Sequence, residues 1–109
     1  MKLSKLFDAV DFSEHVYDLF KSTLHEHMGD HAHHAAWAVH HRKEMFKNLN
    51  NKSAYHEHMS HRTAHREAFT SKFDSMHPAR KKAIGEAAGL PESLHTGDHV
   101  FRHYDRTHS

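Results

Sequence analysis

Apolar residues along this chain recur at helical spacing, with no sustained alternation of the kind a strand needs. Leu3, Leu6, Phe7 and Val10 follow the i, i+3, i+4, i+7 pattern of one helix face. Asp11 then reads as an N-cap, with Glu14 three residues on as an acidic variant of the capping box. Val16, Leu19, Phe20, Leu24 and Met28 form the apolar face of the next helix. Gly29-Asp30 offers a stop and a new N-cap, although a longer helix could cross the glycine at a cost of about 1 kcal/mol. From His31 to Lys47 the pattern is helical again, with Ala32, Ala35, Val39 and Phe46 facing one way. Asn48 to Lys52 reads as a turn, and Ser53 as the cap of a helix running to about Met76. His77-Pro78 breaks that helix, and Pro78 suits the first turn of another, Ala79 to Ala88. Gly89 ends it, with Pro91 beyond. Thr96-Gly97-Asp98 forms a turn and cap for a last short helix holding Val100, Phe101 and Tyr104.

β-branched residues are few, and the expected fold class is all-α. The pattern predicts a helical bundle built on a long antiparallel helical hairpin, about 30–76, with shorter flanking helices. No internal repeat and no long linker divides the chain, so residues 1–109 are expected to form a single helical domain. Trp37, Phe46, Tyr55, Phe69 and Phe73 are expected in its core.

Composition removes several function classes. There is no cysteine, which excludes disulfides, thiolate metal sites and thiol catalysis. Fifteen basic residues against 14 acidic ones leave a net charge of +1. That balance lacks the basic excess of a dedicated nucleic-acid binder. Nowhere do 18 consecutive apolar residues occur, so no membrane partner is expected. The amphipathic start of the chain lacks the apolar run of a signal peptide, and a cytoplasmic or virion location is the expectation.

What changes the picture is histidine. Seventeen imidazoles sit on this nearly neutral background, and protonating all of them would take the net charge from +1 to +18. Their placement matters more than their number. In an antiparallel hairpin, residues whose numbers share a constant sum lie at one level. A turn centred near residue 50 puts that sum at about 99, which sets His34 opposite His65, His41 opposite His58, and Ala38 opposite His61. A shift of two residues would set His40 opposite His61 instead. Positions 27, 31, 34, 38 and 41 follow a 4-3-4-3 seam, and 58, 61 and 65 a 3-4 seam. His31, His34, His41, His58 and His65 would then share one interhelical seam, with His61 between the layers.

A neutral imidazole offers one nitrogen to a metal and one donor to a supporting partner. Two histidines from each of two facing helices can make a tetrahedral zinc site, and copper(II) and nickel(II) also favour imidazole. Glu44 and Glu57 fall near one level and could serve as carboxylate ligands or orienters. Two other readings compete with a metal site. One is a histidine-rich solvated surface, to which His25, His27, His33, His56, His77, His95 and His108 are expected to belong. The other is a neutral, hydrogen-bonded imidazole network that would fail in acid.

Part of the chain resembles hemerythrin, a four-helix di-iron oxygen carrier. Its helical His-x3-Glu is matched by His40 and Glu44, and its His-x3-His by His61-Arg-Thr-Ala-His65. Asp11-Phe12-Ser13-Glu14-His15 echoes a further acidic element of the family. The chain departs from the family at its final His-x4-Asp, since Asp105 lies six residues after His99 and two after His103. The interval from His65 to His99 also holds a proline break and an extra short helix. The resemblance implies a di-iron site in a helical bundle.

The function expected from the residues themselves is metal binding: zinc, copper or nickel held by interhelical histidines for storage, buffering or structural cross-linking. The alternative is a small structural subunit of a larger assembly, such as a virion or scaffold component, or a homo-oligomer. No water-activating base in a cleft stands out, so catalysis is not expected.

Overall fold

A computed structural model describes residues 17–108. The expected face of Leu3, Leu6, Phe7 and Val10, the Asp11/Glu14 cap, the acidic echo at residues 11–15 and Val16 of the next expected face lie outside the described residues. Within them the fold is all-α and contains no strand. Residues 17–28 are helical (α1). A 3-10 turn, Gly29–Ala32, leads into α2, His33–Lys47. Then follow α3, Lys52–Ser75, α4, Pro78–Ala87, a 3-10 turn at Glu92–Leu94, and α5, Gly97–Thr107.

The breaks have local causes. Gly29 takes φ +57°, a left-handed conformation that costs a residue with a Cβ, so the helical run bends here rather than passing through. Asp30 does not cap α2, which starts three residues later without a side-chain cap. Asn51, not Ser53, caps α3: its Oδ1 accepts from the Ala54 N–H at 3.2 Å. Asn48 closes the other side of the turn, its Nδ2 donating to the Glu44 carbonyl at 2.7 Å. Pro78 forces the extended backbone of His77, whose Nδ1 then accepts from the Ala79 N–H at 3.1 Å. Gly89, at φ +72°, ends α4 in a Schellman arrangement: Leu90 N–H donates to the Gly85 carbonyl and Gly89 N–H to that of Glu86. Thr96 caps α5 through its Oγ1.

The turn at residues 48–51 folds α3 back along α2, and the pairing of low-numbered α2 residues with high-numbered α3 residues makes the two antiparallel. This is compatible with a hairpin over about 30–76. The core lies on one side of that pair. Ala35 and Ala38 of α2 are fully buried, and their small side chains let neighbouring elements approach closely. Phe69 and Phe73 of α3, Val100, Phe101 and Tyr104 of α5, Phe20, Leu24 and Met28 of α1, and Ile84 of α4 complete it. Three aromatic expectations are corrected here, the first being Tyr55, which is only half-buried and outside the core. Trp37 is 52% exposed because it projects from the side of α2 away from Ala35 and Val39. Phe46 is 68% exposed although it continues their stripe, because it lies a turn beyond Arg42, which already meets His108 at the end of α5. Leu19 is likewise 51% exposed.

Candidate metal centre

Helical spacing delivers the histidines to one edge of the α2/α3 contact. His34 and His41 are seven residues apart, two turns of one helix stripe, and so are His58 and His65 on α3. The structure joins them in the register that a sum near 99 implies. His34 Nδ1 lies 2.9 Å from His65 Nδ1, and His41 Nδ1 lies 2.9 Å from His58 Nδ1. Within each pair one ring must donate from Nδ1 and the other must accept, so the two rings hold opposite tautomers.

The pairs join into a continuous row. Ring centroids are 6.0 Å apart from His31 to His34, 5.1 Å from His34 to His65, 5.6 Å from His65 to His41 and 5.2 Å from His41 to His58. His41 and His65 stack although they belong to different pairs. Side chains on a helix lean toward its N-terminus, and in antiparallel helices these two lean toward each other. His61 also stacks on His41, at 5.0 Å. The same register gives Ala38 and His61 one level, but their side chains part. Ala38 is buried toward the core, and its carbonyl accepts from Arg62, the neighbour of His61, at 3.1 Å. His40 packs on Trp37 and His41, not opposite His61.

Burial, followed by the neighbouring imidazoles, holds His41 and His65 below the ordinary histidine range. Both rings therefore favour the neutral form, which is the form that binds metal.

The carboxylates contribute less than their level suggested. Glu44 accepts from Lys47 Nζ at 3.3 Å, and that hydrogen bond holds its carboxyl below the ordinary carboxylate range. Glu57 reaches toward His61, with Oε1 3.9 Å from Nε2. No described contact joins Glu44 to Glu57. His31 stands at the exposed end of the row on the 3-10 turn. Among the described residues, no three His, Asp or Glu side chains converge as ligands around one point. The reason is geometric. His34 and His41 are about 10.5 Å apart along the axis at 1.5 Å per residue, so the two pairs cannot close on a single ion.

Three features carried no sequence signal. Trp37, expected in the core, walls the row and stacks on His65 at 6.2 Å. Arg42 and Arg62 both hold Asp105, at 3.2 and 3.1 Å, fixing α5 against the hairpin on the opposite side. That engagement occupies the aspartate nearest the one a hemerythrin pattern would require. His95 and His108, expected on the bare surface, are half-buried. His95 Nε2 lies 2.8 Å from the Leu90 carbonyl, and His108 stacks on Tyr104 and meets the Tyr17 hydroxyl.

No protein-family model matches this chain, and no curated protein or solved structure matches it. Among the described residues, no helix is long and apolar enough to cross a membrane.

Proposed function

We propose that this protein binds a divalent transition metal through its interhelical histidine pairs, for storage, buffering or structural cross-linking. The observation that carries this reading is the pair of Nδ1–Nδ1 contacts, His34–His65 and His41–His58, each at 2.9 Å. Two nitrogens bound to one tetrahedral zinc at about 2.0–2.1 Å stand roughly 3.3 Å apart, so exchanging the shared proton for an ion opens each pair by only a few tenths of an ångström. Zinc fits an all-imidazole set best, and copper(II) and nickel(II) share its preference for nitrogen. His31 and His61 flank the pairs, and Glu44 and Glu57 lie at the outer edge as orienting carboxylates.

Calorimetric titration of chelator-stripped, untagged protein with zinc tests this. The expected result is saturable binding with stoichiometric ion retained after desalting. Binding that vanishes on desalting, with no change in melting temperature, would refute it.

A role as a subunit of a larger assembly is favoured by one observation. Phe46 and Leu49, at the tip of the α2/α3 turn, are 68% and 63% exposed. A strict monomer at neutral pH by light scattering, with and without metal, would count against it.

A further inference from the structure

A tetrahedral zinc site needs four donors, and each interhelical pair brings two. The two pairs are two helical turns apart, and among the described residues no third His, Asp or Glu closes on either. Each pair is therefore half a site.

The half-sites lie on an open face. The ion pairs of Arg42 and Arg62 place α5 on the other side of α2 and α3, and the apolar core is there too. On the histidine side, Trp37 is 52% exposed and the His61 side chain 54%. In sequence Trp37 stands between His34 and His41, so an exposed indole sits between the two half-sites. The face carries little charge to oppose self-association. Glu44 is paired with Lys47, and Glu57 lies beside His61.

Resting on the metal-binding reading above, we propose that a second copy of this chain completes the coordination, each ion taking one histidine pair from each copy. A two-fold interface brings the same face of both chains together, so the two half-sites of one copy meet two on the other and both ions form at once. Association also covers the two Trp37 rings, giving the dimer an apolar contact besides the metal. Water as the completing ligand would leave the exposed indole uncovered and the ions in two-imidazole sites.

The test uses the full chain and zinc alone. Stripped protein at neutral pH is analysed by light scattering and native mass spectrometry as zinc is added. The expected result is a doubling of mass with two ions per two chains, reversed by chelator. The apparent zinc affinity should also weaken as the protein is diluted roughly a hundredfold, because each site must be assembled from two chains. Zinc retained by a monomer, with an affinity independent of protein concentration, would overturn the pairing and leave the metal-binding reading standing. No retained zinc at all would overturn both. Replacing His34, His41, His58 and His65 together by alanine should abolish zinc-driven doubling. Should that variant not fold, the dilution series on the unmodified chain still decides.

Discussion

His41 Nδ1 lies 2.9 Å from His58 Nδ1, and two imidazoles in that geometry share one proton between them. His34 and His65 repeat the arrangement one heptad along the seam. Such a pair is disrupted from two directions. A metal ion can replace the proton, or a second proton can leave two donors facing each other.

The second route makes stability fall in acid. Burial and the surrounding imidazoles lower the affinity of His41 and His65 for a proton in the folded chain, and burial does the same to His103 and His108. The unfolded chain, with histidine near 6.5, binds protons first, so acid favours unfolding. Stability should be fully present above about pH 6.5 and lost as pH falls through the depressed folded values. Thermal melts by circular dichroism should show a flat melting temperature from about pH 8 to 7 and a decline from about pH 6.5 downward. A melting temperature unchanged down to pH 5 would contradict this.

Replacing Asp105 by alanine leaves Arg42 and Arg62 facing each other with no carboxylate between them. Both guanidiniums are mostly covered, so the loss should exceed that of an exposed ion pair. Urea unfolding should show destabilisation of about 1–3 kcal/mol. A change within experimental error would mean that α5 is held by its apolar face alone.

At Gly97, α5 approaches the α3 backbone closely. A Cβ there would stand 2.8 Å from Thr70 Cα and 2.8 Å from the Thr70 carbonyl oxygen, both backbone atoms that cannot retreat. Its N–H also donates to Asp74 Oδ1 at 2.8 Å. Gly97→Ala should destabilise by about 1–3 kcal/mol by pushing the two helices apart. A variant as stable as the original chain would show that the contact is looser than described.

Much of the fold was legible in the sequence, and the reasons are local. Pro78, Gly89 and Thr96 mark helix boundaries through chemistry that acts within a few residues. The turn at residues 48–51, together with heptad-spaced histidines on both sides, was enough to set His34 against His65 and His41 against His58. What was not legible depends on distant partners. Trp37 stands off the stripe of Ala35 and Val39, on the side of α2 that α5 does not cover, and Phe46 continues the stripe but lies past the end of α5, so both are exposed. Asp105 is 63 residues from Arg42 and 43 from Arg62, and no periodic pattern links residues that far apart. The lean of side chains that stacks His41 on His65 also lies outside a rule that compares levels alone.

Trp37 is the only tryptophan and stacks on His65, so its emission reports on the row. Copper(II), which quenches a nearby indole, should quench this fluorescence in a saturable way. Because Trp37 lies 6.2 Å from both His41 and His65, replacing His34, His41, His58 and His65 together by alanine should remove most of the effect. Quenching that rises without saturation, or is equal in the variant, would point to loose binding elsewhere among the histidines.

X-ray absorption at the zinc edge, on stripped protein given one equivalent of zinc, reads the ligands of the seam directly. The expected spectrum has a nitrogen shell at about 2.0–2.1 Å with the outer-shell scattering of several imidazoles, and it loses those features when His34, His41, His58 and His65 are replaced. A shell dominated by oxygen, or an imidazole signal that survives those replacements, would contradict metal binding at the paired histidines.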